Sequence, residues 1–371
     1  MQRLNYLDLV LYHEEKITSR EALLKRHAYS LGYLPRLPEH YAPAAMQSAA
    51  FEEDFQWHNT SFMVRRGSNH SLAVPLRLFR AIRSLRPKIV LVHSFIHAWQ
   101  ILFLKRSLSR RAKLLVQNHA EQPFPGLKSN LQRWAARCVD GFLFVSEPQA
   151  QPWRARGLIN GRHRVFEVME GSTTFNVRSR AECRQRLKLG DNPVFLWVGR
   201  LDENKDPLTV LRAFLRLQRG SVSFTLHMAF TDDLLKRSVE DFIHTHALSG
   251  QVVLLGAVPH AELEAWYNAA DFFVLGSHHE GSGYSLCEAM ACGCVPVVTN
   301  IPSFRKMTDG GKIGFLFEPG DEEQLSRQLY RALALAAEPA RRAARSFFEE
   351  RLSHAAMARD IDTACRHLLG V

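Results

Sequence analysis

The chain has 371 residues, 46% of them hydrophobic and 23% charged. That is too long for one ordinary core and suits two domains, with the composition of a globular protein. Lys and Arg outnumber Asp and Glu by 48 to 37, a net charge of +11, and no apolar run reaches the ~18 residues needed to cross a membrane.

In chain order, Leu7 to Tyr12 reads as a strand; Asp8 inside this first apolar stretch argues against a signal peptide. Arg20 to Leu31 reads as a helix, and the Pro/Ala-rich residues 35–50 as a loop. Phe62 to Val64 reads as a strand, Leu72 to Leu85 as a helix, Lys88 to Val92 as a strand and Ala98 to Leu108 as a helix. Lys113 to Gln117 is a further strand, Asn130 to Arg137 a helix and Gly141 to Val145 a strand. Such alternation predicts a parallel sheet with helices on both faces. Residues 172–193, rich in Arg, Ser and Thr, separate this half from a second sheet. The expected fold class is α/β, two doubly wound Rossmann-like domains facing across a cleft, with boundaries at 1–175 and 176–371 and the last helix free to return to the first domain.

The second half carries the sharper signals. Val194 to Val198 is a short strand followed by Gly199-Arg200-Leu201-Asp202-Glu203-Asn204-Lys205-Asp206-Pro207. Asp206 is a good N-cap and Pro207 a good first helical residue. Arg200 and Lys205 thus sit in a loop at the carboxyl end of a strand, where open α/β sheets bind ligands. Arg offers a planar fork to phosphate oxygens and Lys a point charge. Farther on, the strand Phe272 to Leu275 leads into a turn holding Glu280, Gly281, Ser282 and Gly283. A helix opens near Gly283 or Tyr284 and carries Glu288, separated from Glu280 by seven residues. Glycines let the backbone approach a ligand, and the unpaired amides of a helix start suit an anion. Two acidic acceptors beside an anion site match the hydroxyls and diphosphate of a nucleotide-sugar; a solvated acidic helix start is the plain alternative. The six cysteines show no framework spacing, and Cys292-Gly-Cys294 is too tight for a zinc site. Free thiols in a reducing cytoplasm are expected.

Together these segments resemble the retaining group-1 (family 4 type) nucleotide-sugar glycosyltransferases of GT-B fold. The matching pieces are Gly199-Arg200-Leu201 with Lys205-Asp206-Pro207, Leu255-Gly256, Ala270-Asp271, Ser277, and the Glu280-to-Glu288 block. They continue through Glu288-Ala-Met-Ala-Cys-Gly, Val295-Pro296-Val297-Val298, Gly314-Phe315-Leu316 and Pro319-Gly320-Asp321, covering about residues 190–330. The resemblance implies that Arg200, Lys205 and the amides of Gly281, Ser282, Gly283 and Tyr284 hold the donor diphosphate. It implies that Glu288 holds the ribose and Glu280 the donor sugar, with no metal and no cofactor beyond the donor. His119, after the strand ending at Gln117, takes the family's place near the donor sugar, and the anomeric configuration is retained. His93 is read as a hydrogen-bonded structural residue. An Asn commonly stands where this chain has Glu170, Lys306 stands where many members have Glu, and residues 13–20 lack the family's glycine-rich loop.

The basic cluster Lys105, Arg106, Arg110, Arg111 and Lys113 beside an apolar helix fits an anionic membrane surface, or else a solvated face. No nucleic-acid recognition motif accompanies the positive charge. The expected partners are a nucleotide-sugar donor and a glycan, lipid-linked or lipopolysaccharide-type acceptor. The expected location is the cytoplasm, with the inner face of the cytoplasmic membrane as an option. A sugar-nucleotide epimerase of similar architecture, or a non-catalytic partner of an active transferase, stands as the alternative.

Overall fold

The computed structural model describes residues 3–66, 76–335 and 337–371. They form two compact units: Met1–Ser172 with His354–Val371, and Thr173–Ser353.

In the first unit the strands are β1 (Leu4–Glu14), β2 (Tyr41–Ala49), β3 (Glu53–Trp57), β4 (Thr60–Arg66), β5 (Ile89–His93), β6 (Lys113–Gln117), β7 (Gly141–Phe144) and β8 (Arg164–Glu167). They form one sheet in the order β3-β4-β2-β1-β5-β6-β7-β8. All neighbours are parallel except β3 and β4. The helices are α1 (Arg20–Arg26), α2 (Ala28–Leu31), α3 (Leu76–Leu85), α4 (Ala98–Ser107), α5 (Lys128–Ala136) and α6 (Gln151–Ala155). β1, β5 and β6 are buried over most of their length because both sheet faces are covered, as their near-continuous apolar runs require.

Several local expectations are corrected. Residues 35–50 are not a loop: they contain β2, whose small side chains let it lie buried between β1 and β4. Tertiary burial here overrides the low strand propensity of Ala and Pro. β3 escaped the sequence reading because only alternate residues are half-buried, and it folds back on β4 through the two-residue turn His58-Asn59. The helix expected at 20–31 breaks at His27, whose ring turns to Glu14, with His27 Nε2 2.6 Å from Glu14 Oε2. Of the helix expected at 72–85, the first four residues lie outside the described residues; α3 covers the rest.

The second unit holds β9 (Val194–Gly199), β10 (Thr225–Phe230), β11 (Val252–Gly256), β12 (Phe272–Leu275), β13 (Val295–Thr299) and β14 (Phe315–Phe317), all parallel, in the order β11-β10-β9-β12-β13-β14. Its helices are α7 (Arg180–Leu187), α8 (Pro207–Arg219), α9 (Lys236–Thr245), α10 (His260–Ala269), α11 (Tyr284–Ala291), α12 (Pro302–Met307), α13 (Glu322–Leu333) and α14 (Ala337–Phe347). α7 lies within the polar stretch 172–193, and its Arg184 reaches buried Asp271, Nη2 to Oδ2 2.6 Å. The last helix, α15 (His354–Leu369), belongs to the first unit, where Tyr41 donates to Asp362 Oδ1 at 2.8 Å.

In each sheet the chain builds outward on one side and then returns beside its first strand. The switch points lie between β1 and β5 and between β9 and β12. The carboxyl ends of those strands are where a doubly wound sheet binds ligands.

Candidate functional site

At the second unit's switch point the loop after β9 meets the turn after β12. Asp206 caps α8 with Oδ1 accepting from Thr209 N at 3.2 Å, and Pro207 follows at the first helical position. Asp202 Oδ1 accepts from Lys205 N at 2.9 Å. Asn204 clasps the other loop, its amide donating to His279 O and accepting from His279 N, both at 3.0 Å. With its backbone fixed this way, Lys205 extends its ammonium onto Glu280 Oε1, and Ser277 Oγ donates to the same oxygen at 2.7 Å. The pair is largely sheltered, with side-chain exposures of 14% and 12%. Arg200 is 57% exposed and leans on Asp202, Nη2 to Oδ2 2.9 Å, so its guanidinium stays near water.

Gly283 is the N-cap of α11 at φ +59°. A Cβ there would lie 2.4 Å from Phe304 Cε1, so both the backbone conformation and the packing demand glycine. Gly283 has no side chain with which to cap this helix, and no acidic residue lies in its first turn, so the positive end of its dipole suits an anion. Ser282 is buried, and its hydroxyl finds no hydrogen-bond partner among the described residues; such an orphan calls for a ligand or solvent oxygen.

Glu288 is held from two sides. His260 Nε2 lies 2.6 Å from Oε1, and Tyr267 donates to Oε2 at 3.1 Å. Burial and the Glu288 charge push the Tyr267 hydroxyl well above its ordinary pKa, so it remains a donor. The Phe175 ring stacks on His260 at 4.8 Å between centroids. The structure therefore brings Lys205, Glu280, Ser277 and the α11 start to one sheet end, with Glu288 farther along the same helix. Sequence reading missed His260, Tyr267 and Phe175. They come from α10 and from residue 175, and no short-range spacing links them to Glu288.

In the first unit, His119 lies just past β6 and bonds Glu170, Nδ1 to Oε2 2.7 Å. Burial drives the imidazole toward neutrality, but the Glu170 hydrogen bond and the charges of Glu170, Glu121 and Asp8 outweigh it, so the pKa of His119 is raised. His93 ends β5, is buried, and is hydrogen-bonded through both ring nitrogens, to His119 and to Asp8. The glycine-free segment after β1 is organised by Glu14, which takes His27, Gln47 and Arg26 as partners.

Among the described residues, no group of three or more His, Cys, Asp or Glu side chains is arranged to hold a metal ion. The six cysteines are free thiols, and burial pushes those of Cys294 and Cys365 up to about 12. No helix among the described residues is long and apolar enough to cross a membrane.

Known proteins share the family profile and the fold. Residues 179–346 match the family profile described as glycosyl transferases group 1, and residues 33–167 that of glycosyltransferase family 4. The D-inositol 3-phosphate glycosyltransferase of Streptosporangium roseum is 29% identical over 184 residues, 47% of this chain and 42% of that protein. The O-antigen chain mannosyltransferase B of Escherichia coli is 29% identical over 170 residues, 44% of this chain and 43% of that protein. The chain thus spans less than half the length of these relatives. The structure of Anabaena Alr3699/HepE in complex with UDP superposes with a TM-score of 0.70 at 14% identity, covering 99% of this chain and all of that one. A likeness at that identity speaks to fold, and the fold is GT-B.

Proposed function

The chain belongs to the group-1, family 4-type glycosyltransferases, and we propose that it moves a sugar from a nucleoside-diphosphate sugar to an acceptor hydroxyl with retention of configuration. The observation that carries the donor assignment is the end of the second sheet. There the Lys205–Glu280 pair lies beside the start of α11, whose N-cap is Gly283, at a topological switch point. UDP bound to the structural neighbour HepE supports a nucleotide donor.

In this reading Lys205, Arg200 and the amides of residues 281–284 take the diphosphate. Preorganised donors of this kind stabilise the charge that develops on the leaving group as the glycosidic bond breaks. Glu280, fixed by Lys205 and Ser277, faces hydroxyls of the donor sugar. Glu288, oriented by His260 and Tyr267, accepts from the ribose. His119 serves the sugar from the first unit. The chemistry is expected to proceed without a metal.

For the acceptor we propose a glycan or lipid-linked molecule met at an anionic membrane surface. Lys105 and Lys113 lie 3.8 and 3.6 Å from Asp140 and line a basic cavity of about 350 Å³ with Arg137, Arg162 and Arg164. Against α4 packs α5, whose Trp134 and preceding Leu127 are 56% and 87% exposed. Salt-sensitive sedimentation with anionic vesicles is expected. Neutralising Lys105, Arg106, Arg110 and Arg111 should release the protein, at ~1 kcal/mol per basic residue; equal binding to neutral vesicles would rule the surface out.

The function itself is tested by offering UDP-, GDP-, ADP- and dTDP-sugars with and without glycan and lipid-linked acceptors. Release of one nucleoside diphosphate, accelerated by an acceptor, is expected, with the product anomer fixed by NMR. No release from any donor would overturn the proposal, and interconversion of the donor sugar would favour an epimerase.

A further inference from the structure

Six side chains of the first unit form one hydrogen-bonded line. Glu170 Oε2 is 2.7 Å from His119 Nδ1, and His119 Nε2 is 3.0 Å from His93 Nδ1. His93 Nε2 is 2.9 Å from Asp8 Oδ2, Tyr33 donates to that same oxygen at 2.5 Å, and the hydroxyls of Tyr6 and Tyr33 are 2.8 Å apart.

The protons in this line can be counted. A carboxylate only accepts, and a neutral imidazole has one donor and one acceptor nitrogen. Tyr33 gives its single proton to Asp8, so Tyr6 donates to Tyr33. His119 Nδ1 must carry a proton for Glu170, and His93 Nε2 must carry one for Asp8. The 3.0 Å link between the rings needs a third. Three protons on two imidazoles make one positive charge. Removing the middle proton leaves two lone pairs facing each other, and removing an outer one sets a lone pair against a carboxylate.

We propose that Glu170 is a positioning residue which, through this line, keeps the His93–His119 pair singly positive and holds the charge on His119. The proton can cross from His119 Nε2 to His93 Nδ1, which carries the charge from the Glu170 end toward Asp8 with nothing gained or lost. Side-chain exposure is 28% for His119 and 7% or less for His93, Asp8 and Glu170. Only His119 reaches the surface. Both of its N–H groups are committed within the line, so it meets a ligand as a charge and not as an acid. Facing the pair are Glu170 after β8, Glu121 after β6 (whose Oε2 accepts from His119 N at 2.9 Å) and Asp8 on β1; Tyr33 bonds Asp8, and Tyr29 faces Glu170. The raised pKa of His119 accords with this surrounding negative charge. Such coupled groups titrate as a pair.

The effect on turnover rests on the glycosyltransferase reading; the existence of the line does not. The test is a pH titration of the full chain with ¹³C-labelled histidine rings, the pair assigned through His93→Gln and His119→Gln. In the wild type the pair should keep its charge above the pH at which ordinary histidines lose theirs, and Glu170→Gln should move that loss to lower pH. Donor turnover in Glu170→Gln should fall about tenfold near pH 8.5 and recover near pH 6. Should Glu170→Gln fold poorly, neutral rings in the wild type near pH 7 would by themselves overturn the proposal. So would an unchanged titration in the variant. A wild type with the persistent charge but no turnover of any nucleotide-sugar would uphold the line and sink the functional reading.

Discussion

The two sheet ends at the switch points are built in different ways. In the second unit the groups come from two short segments, 199–207 and 277–288, each a strand end, a turn and a helix start. The geometry there is local: Asp206 caps α8, Gly283 opens α11, and Asn204 ties one loop to the other. In the first unit the groups are Asp8, Tyr33, His93, His119 and Glu170, one from each of five separate segments, joined by side-chain bonds. The first kind of site gains its cations from exposed or half-sheltered loops. The second kind holds a single charge against two buried carboxylates, where an unpaired group is costly and every member depends on the next. A motif-built site should therefore lose function one contact at a time, whereas a network-built one should lose its protonation state as a whole.

The largest expected effect falls on both ends alike. Glu280→Gln and His119→Ala should each lower turnover by about 100-fold or more, the usual scale for a positioned polar group. Affinity for the free nucleoside diphosphate should stay within about threefold, below the ~1.4 kcal/mol of a tenfold change. Steady-state kinetics with calorimetry reads both. Near-normal turnover in His119→Ala would take the first-unit network out of the reaction.

Within the motif-built end the two cations should separate. Arg200→Ala should weaken nucleoside-diphosphate binding by about 1.5–3 kcal/mol, the scale of a charge-assisted hydrogen bond, without altering thermal stability, because its side chain is 57% exposed. Lys205→Ala should weaken binding and also destabilise the fold, since it removes the cation paired with the sheltered Glu280 carboxylate. Equal melting temperatures for the two variants would mean that the Lys205–Glu280 pair is not a structural element.

The smallest effect concerns pH. His119 has a raised pKa in the folded state, so its pairing with Glu170 stabilises the fold fully below the ordinary histidine pKa. That contribution is lost as pH rises through the raised folded value. The stability gap between wild type and Glu170→Gln should accordingly narrow from mildly acidic to mildly alkaline pH in denaturant titrations. A gap that widens with pH would reverse the assigned sign.

How much of this could be read in advance follows the same division. β9, α8, β12 and α11 were legible, because caps, glycines and apolar runs act over a few residues, and the candidate residues Arg200, Lys205, Glu280 and Glu288 were found with them. Ser277 belongs to the sequence pattern, but its bond to Glu280 leaves no trace there. β2 was not legible: a strand of Ala, Pro and Met carries no period until it is buried between two neighbours. The sequence reads His93 as a hydrogen-bonded residue, but shows Asp8 only as a charge in an apolar strand.

The sequence by itself determined the alternation of strands and helices, the two-unit organisation, the helix starts that suit an anion, and the residue types at one sheet end, because these depend on spacing along a few turns of chain. Only the tertiary structure decided that Lys205 rests on Glu280, that His260 and Tyr267 orient Glu288, and that His93 and His119 are linked in one line between Asp8 and Glu170. Those outcomes depend on which strand ends the sheet order makes neighbours. A hydrogen bond between residues 85 apart leaves no mark in the spacing of either.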